Sequence, residues 1–181
     1  MKVKNALRLL FLASLFAIIV PMKAEDSDRE AYMKEMEKKI EALQVGTVDA
    51  SAFTLKNLEG NNVSLSDFRG KWVILDFWGS WCPWCIKGFP ELKEAYAKYG
   101  DQLEIIGIDC RESEADWRAG VAKYELPWVN VYNPADSKVT EDYLVIGYPT
   151  KVIISPEGKI KNITIGHDPA FYDVLTELMG K

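Results

Sequence analysis

Apolar positions gather most densely in two stretches. Trp72-Val-Ile-Leu-Asp-Phe-Trp78 and the run Leu103 to Asp109 are apolar or β-branched at most positions, as in strands buried on both faces. Ser51–Leu55 and Asn62–Leu65 flank Glu59-Gly60-Asn61 and read as a hairpin. Lys151–Ser155 and Lys159–Ile165 read as another around Pro156-Glu157-Gly158. Trp128–Tyr132 is a short strand, and Ser66–Gly70 a short capped turn. The spacing predicts helices over Cys82–Tyr99, Ser113–Tyr124 (with Ser113 as cap) and Asp136–Val145. A last helix opens at Asp168-Pro169, with a cap residue and a proline at the first turn. Strands alternate with helices first, then a hairpin and a helix close the chain. That order predicts an α/β fold: a mixed central sheet flanked by helices on both faces, with an N-terminal hairpin extension.

Two segments precede this domain. Met1–Arg8 is short and basic, Leu9–Val20 is apolar except for Ser14, and Pro21-Met22-Lys23-Ala24 leads to acidic Glu25-Asp26. A basic stretch, an apolar stretch and a small residue at the cut make an export signal over residues 1–24, although Met22 stands where a small residue is preferred. The apolar run is shorter than the roughly 20 residues of a membrane span; left uncleaved, it would act as a tether. Residues 25–45 hold seven acidic and four basic residues, with Met36, Ile40 and Leu43 on one thin helical stripe that Gly46 ends. They read as a charged helical spacer. The domain proper is 46–181.

Composition narrows the chemistry. With 48% apolar and 27% charged residues among 181, the chain is neither disordered nor collagen-like. The net charge is -5, and the residues after Ala24 carry -9, a poor match for nucleic acid. One histidine and three cysteines point to no metal site and no disulfide scaffold.

Trp81-Cys82-Pro83-Trp84-Cys85 carries the chemistry. Cysteines three apart at a helix start close a disulfide with little movement. The helix N-terminus stabilises a thiolate on the first, exposed cysteine, while the second faces inward. Attack by Cys82 on a substrate disulfide gives a mixed disulfide that Cys85 resolves.

Here the sequence resembles the thioredoxin superfamily, and within it the exported TlpA/ResA-like thiol-disulfide oxidoreductases. The matching residues are Val63–Lys71, Ile74–Cys85, Phe89-Pro90, Gly147-Tyr-Pro-Thr150 and Ile154–Lys159. The resemblance spans about Gly46 to Lys181 and implies a thioredoxin-like fold. It makes Pro149 a cis-proline facing the dithiol, and it places Tyr148 and Gly166 along the substrate groove. Trp81 and Trp84 then form an apolar docking surface, Trp78 belongs to the core, and Pro90 falls inside the active-site helix and kinks it.

Asp76, six residues before Cys82, matches the buried acid of thioredoxins that takes the proton of the resolving thiol. Desolvation raises the pKa of such a carboxyl, and on that reasoning Asp76→Asn stabilises the fold. Many ResA-like proteins instead place a Glu three residues after the second cysteine, where this chain has Gly88. The competing reading makes Asp76 a paired structural acid. Cys110 reads as an inert buried thiol or as an auxiliary redox thiol, and His167 as an inert loop residue or a redox participant. Asn62-Val-Ser64 and Asn162-Ile-Thr164 are formal glycosylation sequons.

The resemblance implies an exported, periplasmic thiol-disulfide oxidoreductase without cofactor. It would be a monomer that reduces protein disulfides, including those of cytochrome c maturation, with electrons from a membrane-embedded thiol donor. The dipeptide Pro83-Trp84 and the roughly 60 residues between Cys85 and Pro149 favour a reductant over a DsbA-like oxidant. The alternatives are a thiol peroxidase, against which Gly79-Ser-Trp-Cys82 counts, and a non-catalytic partner-binding domain.

Overall fold

The computed structural model describes residues 26–44 and 46–180; the expected signal segment 1–24 lies outside them. The chain divides into two compact units, residues 1–42 and 43–181. In the first, the described residues form α1 (Asp26–Leu43), a polar helix with a Glu35–Lys39 pair at 2.7 Å. Its last helical residue is Leu43, three before Gly46, the expected stop. No helix among the described residues is long and apolar enough to cross a membrane.

The second unit is built on a seven-stranded sheet of β1 (Thr54–Asn57), β2 (Asn62–Ser64), β3 (Trp72–Trp78), β4 (Leu103–Asp109), β5 (Val129–Tyr132), β6 (Thr150–Ile154) and β7 (Ile160–Ile165). The spatial order is β2-β1-β5-β4-β3-β6-β7. β3, β4 and β5 are parallel, while β6 pairs antiparallel with β3 and β7 with β6. The N-terminal hairpin joins through an antiparallel β1–β5 pairing. Four helices follow α1: α2 (Pro83–Tyr99), α3 (Glu114–Tyr124), α4 (Val139–Asp142) and α5 (Ala170–Met179).

Alternation along the strands sends side chains to opposite faces. On one face Ile74, Trp78, Ile105 and Ile153 form a core with Phe89 and Leu92 of α2, Trp117 and Val121 of α3, and Phe171 and Leu175 of α5. On the other, Phe77 packs 5.7 Å from the ring of Tyr143, the residue that closes α4. Burying side chains of this size stabilises by roughly 1.5–3 kcal/mol each, and β3 and β4 are buried along nearly their whole length. They are also the strands that hold the site.

Two helix expectations need correction. The helix expected over 136–145 is only the single turn Val139–Asp142. Leu144 takes a left-handed φ of 53°, which ends helical propagation. The last helix starts at Ala170 rather than at Pro169, which stands as its N-cap in helical geometry. Asp168 still serves it, accepting from the Ala170 amide at 2.9 Å. Ser113 caps α3 as expected, accepting from the Asp116 amide at 3.1 Å.

Candidate active site

The sheet brings three chain segments to one edge. β3 and β4 are paired in parallel through Trp78 and Asp109, so both strands leave the sheet at the same end. β6 runs the other way and begins there, with Thr150 opposite Phe77. Gly79–Cys82, Cys110–Glu112 and Tyr148–Pro149 therefore converge.

Cys82 is the N-cap of α2, in extended geometry, and Pro83 holds the first turn. Its Sγ accepts from the Cys85 amide at 3.1 Å, and its carbonyl accepts from the Ile86 amide at 3.2 Å. The sulfur thus sits where the helix presents unpaired N–H groups and its positive dipole end, which favours thiolate. The structure holds the oxidised form, a Cys82–Cys85 disulfide with the Cα atoms 5.3 Å apart. An exposed first cysteine was expected; instead Cys82 is 3% exposed and Cys85 2%. The two thiols differ by position on the helix, not by access in the oxidised state.

Aromatic rings build the rim. Trp81 and Trp84 are each 45% exposed, while Trp78 is fully buried. Trp81 is pinned: its indole N–H donates to the Cys110 carbonyl at 2.9 Å, and Tyr148 meets its ring edge-on at 5.3 Å. This approach requires Gly79, because a Cβ there would collide with the indole nitrogen and stand 2.9 Å from the Cys110 carbonyl. Trp84 stacks on His167 at 6.4 Å, with the Lys87 ammonium 5.0 Å from its ring centre. The Tyr148–Pro149 bond is cis. The Pro149 carbonyl accepts from the Gly166 amide at 2.7 Å, and Gly166 takes a φ of 83°. Pro149, Tyr148 and Gly166, the expected groove residues, thus lie together beside Trp81. Pro90 lies inside α2, which continues through it to Tyr99; the Ile86 carbonyl loses the amide a residue 90 other than proline would offer.

Beneath the rim, Asp76 is 1% exposed and Lys151 3%. Lys151 Nζ lies 3.4 Å from Asp76 Oδ1. Burial pushes the Asp76 carboxyl above its ordinary value, and Lys151 pulls the other way without cancelling it. The pairing corrects the expectation that Asp76→Asn stabilises the fold, because asparagine would leave a buried ammonium without its counter-charge. At the position of the relatives' Glu, a Cβ on Gly88 would lie 3.4 Å from His167 Nδ1 and 3.9 Å from Lys151 Nζ.

A pair of acids stands at the end of β4, where Asp109 is fully buried beside Glu112. Desolvation, and then the neighbouring Glu112 carboxylate, push its pKa up to about 9, so it is protonated at neutral pH. Glu112 accepts from the Ser80 amide at 2.8 Å and also from the Ser80 hydroxyl, which anchors the turn between β3 and Cys82. Cys110 is fully buried, and its thiol is 3.5 Å from the Ile108 carbonyl. Burial, reinforced by Asp109, raises its pKa far above the usual thiol range. Both features are those of a buried thiol with little thiolate. Among the described residues no group of three or more His, Cys, Asp or Glu is placed to hold a metal.

Sequence reasoning missed Lys151, Asp109 and Glu112. Lys151 does carry a signal, as the one charge within the strand Thr150–Ile154, but its partner emerges only from the Asp76–Lys151 register.

Residues 47–163 match the AhpC/TSA family. The thiol-disulfide oxidoreductase ResA of Bacillus cereus (strain ATCC 10987 / NRS 248) is 35% identical over 123 residues, covering 67% of this chain and 70% of the relative. ResA of Bacillus subtilis (strain 168) is 34% identical over 119 residues, covering 65% and 66%. The crystal structure of the thioredoxin domain of a thiol-disulfide oxidoreductase from Bacteroides vulgatus superposes with a TM-score of 0.68 at 32% identity, covering 74% of this chain and 97% of that one. The family match takes in more than half of the chain and the Bacillus cereus relative reaches two thirds of it, so the chain belongs to the AhpC/TSA family, among its ResA-like members.

Proposed function

We propose that the protein, a thiol-disulfide oxidoreductase like the relatives and structural neighbours that carry that name, reduces protein disulfides outside the cytoplasm. The observation that carries this reading is the Cys82 sulfur at the N-cap of α2, bonded to the Cys85 amide at 3.1 Å. A thiolate there attacks one sulfur of a client disulfide. The Cys82–client bond forms, and the other client sulfur leaves as thiolate. Cys85 loses its proton, attacks Cys82 and expels the second client sulfur. Two electrons pass from the dithiol to the client. Pro149 and Tyr148 offer the client backbone an edge beside the dithiol, Trp81 and Trp84 offer apolar contact, and Asp76 takes the Cys85 proton.

The basic-then-apolar segment over residues 1–24 supports export to a periplasm-like compartment, where a membrane-embedded thiol carrier would re-reduce the dithiol. Disulfides of cytochrome c maturation are one client class such a reductant serves. The reduced protein is expected to reduce insulin as a monomer, and to consume no peroxide in excess of its own two thiols. Catalytic peroxide turnover would overturn the reading in favour of a peroxidase, and inertness toward both substrates would favour a partner-binding domain. Equilibration with glutathione or dithiothreitol then fixes the direction of electron flow through the reduction potential.

A further inference from the structure

Resolution delivers a proton to a carboxyl that water does not reach. Asp76 and its partner Lys151 are both buried, and the Cys85 thiolate persists long enough to attack only once its proton has passed on from them. The neighbouring groups offer few exits. Burial raises the Cys110 thiol and the Tyr172 hydroxyl far beyond neutral pH, and Tyr172 already donates to the Gly88 carbonyl at 3.5 Å. His167 is different, since its imidazole is only partly buried and carries one nitrogen that donates and one that accepts a hydrogen bond, as a relay requires.

Its placement is specific. His167 Nδ1 and Lys151 Nζ both border the bare backbone of Gly88, within 3.4 and 3.9 Å of the point where a Cβ would stand. The far nitrogen, Nε2, lies 3.9 Å from Glu91 Oε2, on a carboxylate whose side chain is 45% exposed. Trp84 stacks against the imidazole and holds its plane. The charged groups around it are Lys87 and Glu91 from α2, Lys151 from β6, and Asp168 next in its own loop.

Building on the oxidoreductase reading, we infer that His167 is the proton outlet of the resolving step, exchanging protons with the Asp76–Lys151 pair through the opening at Gly88 and passing them to Glu91 and solvent. The balance is simple. Cys85 gives its proton to Asp76 as its thiolate displaces the client sulfur from Cys82. The proton then moves by way of Lys151 to His167, and the client thiolate takes its own proton from water. In this arrangement glycine does at position 88 what a glutamate would otherwise do: it keeps a protonic path open beside the dithiol. His167 acts through Asp76 and is a positioning residue, not a catalytic one.

Stopped-flow reaction with dithiobis-nitrobenzoate separates the steps, because attack by Cys82 releases the first chromophore and resolution by Cys85 the second. His167→Gln is expected to slow the second phase about tenfold, within the usual range of lost acid–base help, and to leave the first unchanged. Imidazole added to His167→Gly is expected to restore the second phase. Gly88→Ala fills the opening at ordinary contact distances and puts a better helix former in α2; it is expected to slow resolution while raising stability. Gly88→Glu in the His167→Gln background is expected to recover part of the rate. Unchanged second phases in His167→Gln and Gly88→Ala would overturn the outlet while leaving the oxidoreductase reading intact. A wild-type protein with no first phase would sink that reading itself.

Discussion

Asp76 and Lys151 stand directly opposite each other in the antiparallel β3–β6 register, and Lys151 Nζ approaches Asp76 Oδ1 to 3.4 Å with both side chains buried. A carboxyl in that place serves two masters. Desolvation raises its pKa, which suits a proton acceptor, and the lysine opposes that rise.

Asp76→Asn is therefore expected to slow resolution by Cys85 more than attack by Cys82, and to lose about 1–3 kcal/mol of stability, because the ammonium keeps its burial and loses its counter-charge. Lys151→Met removes the group that lowers the Asp76 pKa, so resolution is expected to need a higher pH. The double variant Asp76→Asn/Lys151→Met is expected to be more stable than Asp76→Asn, since it buries neither charge. Urea unfolding of the four proteins checks the cycle, and additive losses would mean the pair is not coupled.

The same pair shows where the sequence stops being legible. The strand Trp72–Trp78 and the strand Leu103–Asp109 are readable to the residue, because burial on both faces makes their sequences mostly apolar. The dithiol is readable because its spacing and its helix start are local. Asp76 is visible as a charge inside such a run, but its partner lies on a strand 75 residues later, and only the register β3–β6 joins them. Glu112 escapes for the same reason, as its bonds to Ser80 cross between two loops. The helix expected over 136–145 fails because a left-handed φ at Leu144 is a backbone choice that apolar periodicity does not encode.

Cys82→Ser is expected to abolish reduction of insulin, and Cys85→Ser to accumulate a mixed disulfide with it. The two sulfurs are equally buried when oxidised, so the distinction rests on the N-cap position and its amide donor. Mass spectrometry of the reduced protein after brief iodoacetamide treatment is expected to find Cys82 alkylated first and Cys110 unmodified. Faster modification of Cys85 would reverse the assignment.

Asp109 ties stability to pH. Its pKa rises from 3.8 unfolded to about 9 folded, so the folded state binds its proton more tightly. That contribution is fully present below the unfolded value and is lost as pH rises through the folded one, at most about 1.4 kcal/mol per pH unit between them. Wild-type stability is expected to decline from pH 5 toward pH 9. Asp109→Asn, which keeps the shape of the neutral acid, is expected to decline less steeply. Equal slopes in urea midpoints across that range would show that Asp109 ionises freely in the fold.

Gly79 concerns client recognition rather than electron transfer. The Trp81 indole reaches the Cys110 carbonyl across the bare backbone of Gly79, and a methyl group there would occupy the path of that bond. Gly79→Ala must therefore release the indole, and with it the edge-on contact to Tyr148. Released, Trp81 loses the fixed orientation that lets an exposed aromatic serve as a contact surface at low entropic cost. The dithiol chemistry sits on α2 and keeps its amide donor. Reduction of insulin is accordingly expected to fall through a raised KM, by several-fold, while attack on the small disulfide dithiobis-nitrobenzoate stays within about twofold of wild type. Trp81→Phe, which keeps a ring and loses the indole donor, is expected to reproduce the split. If Gly79→Ala slows the small disulfide as much as insulin, the pinned indole orders the dithiol itself, and its place as a docking surface is lost.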